Sequence, residues 1–297
     1  MAKIRNFEVK MKQISLAHSP DADDIFMYSA IKFGWCNAHN LKFQASSADI
    51  QTLNTASLRG EYDICAISFG LYPLICDEYA LLRTAISFGQ GYGPKLIRRK
   101  DKILKPNFKV ALSGENTTNA LIFRIAYPKA RIIYKNFLDI ENAVLSKECD
   151  AGVLIHESIL DFNDELCVEM ELWDLWQELA GDSLPLPLGG MCLRRSLPLS
   201  DAINCEKLLT QAVSVANSHK KMLSKMLMER NLVRVNDEKL DIYLSLYANQ
   251  NSVELSQTQI KALDKLFYLG FKHGFFARLI TCQPNLIPRE YMDYRNS

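Results

Sequence analysis

Leu186-Pro187-Leu188-Gly189-Gly190-Met191-Cys192-Leu193 is the stretch on which the fold turns. It is an apolar, strand-length run with a Gly-Gly pair inside it, placed between a Trp-rich helical pattern near 173–180 and a long helical tail. Glycine gives the backbone freedom that a crossing point needs. We read this run as a strand carrying the chain back from one lobe to another. Its counterpart is Ala85–Lys100, which carries the chain out through the Gln90-Gly91-Tyr92-Gly93-Pro94 turn. Turn chemistry accounts for either glycine-rich piece taken alone. The two together, with no Gly/Ser linker anywhere, point to a hinge with a cleft between two lobes.

Working outward, short apolar runs alternate with helix-length segments. Strands are expected at Ile14–His18, Leu41–Ala45, Asp63–Ile67, Phe108–Leu112, Arg131–Tyr134 and Ala151–Ile155, besides Leu186–Leu193. Helical patterns fall between them at about 24–34, 50–59, 117–127 and 138–148. That alternation implies βαβ units and a largely parallel sheet in each lobe, an α/β fold whose ligands sit beyond the carboxyl ends of the strands. Beyond Arg195 the pattern becomes helical, over Ser200–Leu227, Asp237–Tyr247 and Gln257–Phe271, with Gly274 as a stop. The expected organisation is residues 11–95 plus 196–297 as the first lobe, 96–195 as the second, and 1–10 as an N-terminal extension. The tail helices then pack on the first lobe.

Composition excludes several function classes. With 48% hydrophobic residues in 297, the chain can bury a core without disulfides or metals. Lys+Arg number 35 against 34 Asp+Glu, a balance too even for a protein that neutralises nucleic-acid phosphates. The eight cysteines form no C-x-x-C pair and sit mostly in apolar surroundings, so they read as reduced, buried thiols rather than as metal ligands. The stretch Met1–Lys10 is charged and lacks the apolar segment of a secretory signal, and no later run approaches the ~18 apolar residues of a membrane span. The expectation is a cytoplasmic protein that takes a small anionic molecule and needs neither cofactor nor metal.

Polar groups just past strand ends are the candidates for chemistry. The first strand runs into Ser19-Pro20-Asp21-Ala22-Asp23-Asp24, where helix capping accounts for Asp21 and Asp23 at least as well as a ligand role does. Ser68 can cap a helix or offer its hydroxyl to a ligand. Ser113-Gly114-Glu115-Asn116-Thr117-Thr118-Asn119 opens a helix after a strand and is a ready anion site, without the spacing of a P-loop. The sharpest feature is Asp150-Ala151-Gly152-Val153-Leu154-Ile155-His156-Glu157, where an apolar strand delivers an imidazole to the cleft. Histidine titrates near neutral pH and suits a general base. Most single histidines are structural or solvated, and it is the strand-end position that singles out His156. His18 is the rival base; His39, His219 and His273 read as solvated, and Trp173 and Trp176 as core.

Taken in order, Ser19-Pro20-x-x-x-Asp24-x-Phe26, Ser68, Gly91-Tyr92-Gly93-Pro94, Thr117-Thr118, Ile155-His156-Glu157 and Pro185-x-Pro187-Leu188-Gly189-Gly190 resemble the 1,4-dihydroxy-6-naphthoate synthase family of the futalosine route to menaquinone. The resemblance covers residues 11–195 by motif. It implies a periplasmic-binding-protein-like fold of type II. It also implies a lyase that splits cyclic dehypoxanthinyl futalosine into 1,4-dihydroxy-6-naphthoate and dihydroxyacetone. By the same resemblance His156 is the proton acceptor, Ser68 and Thr118 line the ligand site, and Thr117, Asn119, Ala66 and Ile67 are supporting neighbours. Many members of the family read Ser-Pro-Cys-Pro-Asn-Asp where this chain has Ser19-Pro20-Asp21-Ala22-Asp23-Asp24, two added acids that leave room for a different substrate. The sister chorismate dehydratase and a non-catalytic anion-binding protein of the same fold are the alternatives.

Overall fold

The computed structural model describes residues 11–37, 40–181, 183–233 and 236–290. The 1–10 extension and His39 lie outside them. Two sheets organise the chain. The first is built from β1 (Lys12–His18), β2 (Leu41–Ser47), β3 (Ile64–Ser68), β4 (Tyr79–Leu81) and β5 (Ser87–Gly89). The second takes β6 (Lys95–Arg99), β7 (Lys109–Leu112), β8 (Arg131–Tyr134), β9 (Ala151–Leu154) and β10 (Leu166–Glu171). The chain then returns to the first sheet with β11 (Leu186–Arg194). The strand orders are β2-β1-β3-β11-β4, with β5 paired to β11, and β10-β6-β9-β7-β8.

Each sheet has a parallel centre, β2-β1-β3 in one and β8-β7-β9 in the other, flanked by antiparallel returns. Parallel strands covered on both faces become continuous apolar runs. Ile64–Ser68 and Ala151–Leu154 are buried at every position. The helices of the first half are α1 (Ala22–Lys32), α2 (Ile50–Leu58) and the short α3 (Tyr72–Ile75), and those of the second are α4 (Thr118–Ala126), α5 (Ile140–Leu145) and α6 (Leu172–Ala180). Their starts follow local chemistry. Asp49 accepts from the amides of Gln51 and Thr52, and Thr117 from Ala120, so exposed N–H groups of the first turn are satisfied.

The tail forms α7 (Leu199–Ser218), α8 (Lys220–Glu229), α9 (Asp237–Tyr247) and α10 (Gln257–Lys272). Helices α7, α8 and α9 pack against α1, and α10 against β11, which attaches the tail to the first half. The run expected as one helix over Ser200–Leu227 is broken at His219, whose φ of −118° and ψ of 26° leave the helical region.

The Ala85–Lys100 crossing differs from a single strand. It is two strands, β5 in the first sheet and β6 in the second, separated by the 90–94 turn where Gly91 takes φ 79°. The return passes through α6 and the residues before Leu186, since β11 pairs along its length with β5, β3 and β4 of the first sheet. The two crossings lie side by side, and Leu172 N donates to Pro94 O across them at 2.9 Å. Trp176 is fully buried, with its indole N–H donating to Leu184 O. All eight cysteines are free, and only Cys167 is not buried. Among the described residues no helix is long and apolar enough to cross a membrane.

Candidate active site

Four strands point their carboxyl ends into the gap between the sheets, and each brings a polar residue there. Ser19 follows β1, Ser68 ends β3, Ser113 follows β7, and His156 stands two residues beyond β9. All four line one cavity of about 100 Å³. This is the position at which open α/β sheets hold ligands. Ala66, Ile67, Thr117, Thr118 and Asn119 line it as well, so the structure brings these candidates together with Ser68 and His156. His18 does not line it. Its Nδ1 lies 2.7 Å from the Ser19 carbonyl, and the ring faces Tyr28 and a separate groove.

The two halves are in contact around the cavity. Gly70 N donates to Thr118 Oγ1 at 2.9 Å, and that hydroxyl donates on to Leu188 O at 2.7 Å. Asn54 Nδ2 reaches Asn116 O at 3.4 Å and Ser68 Oγ at 3.1 Å, while Asn54 Oδ1 accepts from Ser68 N at 3.0 Å. Ala22 N donates to Glu157 Oε1 at 3.1 Å. Thr117 is a helix cap first, since its Oγ1 accepts from Ala120 N and donates to Gly114 O. The hydroxyls of Thr117 and Thr118 are therefore engaged within the protein.

His156 Nε2 and Ser113 Oγ line the cavity buried and without a hydrogen-bond partner among the described residues. Buried polar atoms are normally paired, and those left open in a cavity mark where a ligand satisfies them. His156 is held elsewhere. Its Nδ1 is 3.0 Å from Asp21 Oδ2, and Phe137 stands edge-on to the ring at 5.0 Å. The residue opens a short 3₁₀ turn at φ 55°, a left-handed conformation that costs a side-chain-bearing residue roughly 1–3 kcal/mol and is kept only where the surroundings enforce it.

The charge in the cavity is acidic. Asp21, Asp23 and Asp24 line it, and no Lys or Arg does among the described residues. Burial pushes the Asp23 carboxyl well above its usual range, helped by Asp24, Asp21 and Glu157, with the Tyr243 hydroxyl pulling the other way through its hydrogen bond to Oδ1. Burial also raises Asp24, opposed by His18 and the Ser19 amide. Tyr243 and Tyr247 of α9 complete the wall from the tail. Their spacing in the sequence is that of any buried helix face, so nothing there distinguished them. Among the described residues no group of three or more His, Cys, Asp or Glu is placed to hold a metal ion.

Residues 14–272 match the family profile described as menaquinone biosynthesis. A curated 1,4-dihydroxy-6-naphthoate synthase of Thermus thermophilus is 25% identical over 90% of this chain and 97% of its own length. That of Streptomyces coelicolor is 26% identical over 90% and 95%. A solved protein of Archaeoglobus fulgidus, 30% identical, superposes with a TM-score of 0.82 over 89% of this chain and 98% of its own. The aliphatic sulphonate binding protein of Escherichia coli shares the fold at 9% identity, with a TM-score of 0.64 over 92% and 91% of the two chains. The architecture is thus that of the periplasmic binding proteins.

Proposed function

The chain belongs to the menaquinone biosynthesis family, and on that premise we propose that it is a cytoplasmic carbon–carbon lyase, a 1,4-dihydroxy-6-naphthoate synthase with His156 as general base. The observation that carries the reading is the unpartnered Nε2 of His156 in a cavity walled by both sheets. A neutral imidazole with Nε2 free can take a proton from a C–H or O–H group of a bound molecule. Opposite it, Ser68 keeps a hydroxyl proton to donate, because its oxygen already accepts from Asn54.

The substrate in this reading is cyclic dehypoxanthinyl futalosine, which carries a benzoate-type carboxylate. With acids at the Asp21–Asp24 end of the cavity, that carboxylate belongs at the start of α4, beside Ser113 and Asn119, where helix N–H groups favour negative charge. The cyclic, sugar-derived portion then lies toward His156. Proton removal starts an elimination and a carbon–carbon cleavage that the forming aromatic ring drives forward, so the chemistry calls for no external electron sink. Enclosure between the halves orients the reacting groups and excludes water.

The test is His156→Asn. Asparagine tolerates the left-handed backbone, so the turn survives the change. Turnover of the cyclic futalosine derivative to the fluorescent naphthoate should fall by about 10²–10⁴-fold with binding retained; full turnover in the variant would remove His156 as the base. Chorismate offered in parallel separates this activity from the sister dehydratase, and binding without conversion of either compound would indicate a receptor.

A further inference from the structure

The imidazole is held by a residue from the other half of the molecule. His156 follows β9 of the second sheet, whereas Asp21 follows β1 of the first. The Asp21 side chain is 1% exposed, and its Oδ2, 3.0 Å from His156 Nδ1, also accepts from the Ser19 hydroxyl. A carboxylate at Nδ1 settles which nitrogen carries the proton, leaving the lone pair on Nε2. That is the ring nitrogen without a protein partner. Phe137 stands edge-on against the ring, and the backbone that carries it is left-handed at φ 55°.

With His156 read as the base, we infer that Asp21 is its positioning residue, supplied across the cleft, so that the base is assembled only when the two halves close. Asp21 sits in an unfavourable place for a residue that merely packs. Asp23 and Asp24 of α1 and Glu157 beside the histidine are all acidic neighbours, with Tyr243 on Asp23 and His18 near Asp24. Like charges gathered there repel one another. The imidazole proton facing Asp21 offsets that repulsion and gives the carboxylate a use. Opening the cleft withdraws Asp21 from the ring, and the tautomer preference goes with it.

The experiment combines nitrogen-15 imidazole NMR of the wild-type protein with kinetics of Asp21→Ala. In the wild type, His156 should carry its proton on Nδ1; a ring protonated on Nε2 instead overturns the inference without any variant. Asp21→Ala should lose that signature and lower kcat about 10–100-fold with KM nearly unchanged. Removal relieves repulsion with Asp23, Asp24 and Glu157 but leaves the buried Ser19 hydroxyl and the imidazole N–H without this acceptor, so kcat and the tautomer are read at a temperature where circular dichroism shows the variant folded. Added formate should restore part of the lost kcat in Asp21→Ala and none in His156→Asn. If Asp21→Ala keeps both the tautomer and kcat while His156→Asn is inactive, the positioning role is wrong and the base is right. If His156→Asn is fully active, the base reading falls first and this one with it.

Discussion

The backbone amide of Gly70 donates to the hydroxyl of Thr118 over 2.9 Å, joining the loop after β3 to the first turn of α4. This is a contact between the two halves at the cavity wall, and it leaves no space for a side chain. A Cβ on Gly70 would stand 2.9 Å from Thr118 Cα and 3.1 Å from Thr118 N, and backbone cannot step aside as a flexible side chain can.

Gly70→Ala should therefore fold and yet close poorly. Displacing the reacting groups by about 1 Å can cost about 10²-fold, and a drop of that order in kcat/KM is expected. Small-angle scattering should report a larger radius of gyration than wild type. Wild-type kinetics in this variant would mean that the contact is incidental.

Ser113→Ala removes a buried hydroxyl that has no partner in the free protein. Thermal unfolding should show stability unchanged or raised, since leaving such a group unsatisfied is itself a cost. The substrate KM should rise about fivefold, the value of one hydrogen bond of about 1 kcal/mol. An unchanged KM would place the carboxylate elsewhere in the cavity.

Asp23→Asn tests the raised carboxyl. Burial lifts the folded-state pKa of Asp23 above its ordinary value of 3.8, so the folded state holds this proton more tightly than the unfolded chain does. The associated stability is present at low pH and is lost as pH rises through the folded-state value. Asparagine stays neutral and keeps an oxygen for the Tyr243 hydroxyl. The variant should melt above wild type at pH 8, with the difference shrinking toward pH 4; a constant difference across that range would point to packing rather than ionisation.

Much of the site could be read from the sequence because strand ends announce themselves. An apolar run that stops at Ser68, Ser113 or His156 must put that residue at the edge of a sheet, and the carboxyl edge is where ligands lie. What the sequence did not disclose depended on how the halves face each other. Asp21 serves a helix start equally well on paper, and only the cross-cleft geometry gives it His156. The strand Leu166–Glu171 carries a weak sequence signal for a different reason. It is an edge strand with a bulge between Val168 and Met170, buried only at Leu166, and it carries glutamates where a central strand would carry apolar residues. The split of Ala85–Lys100 into two strands likewise follows from Gly91, whose positive φ turns the chain between sheets.

The placement of β11 between β3 and β4 has a consequence for biosynthesis of the protein itself. An inner strand of the first sheet is not translated until residue 194, whereas β6 to β10 of the second sheet are complete by residue 171. On the ribosome, where domains fold as their sequence emerges, the half made in the middle of the chain can finish its ladder first. The half that begins at the N-terminus must wait with an unfilled slot for a strand that arrives late. Nascent chains halted before Leu186 should accordingly be the ones that most need chaperone protection.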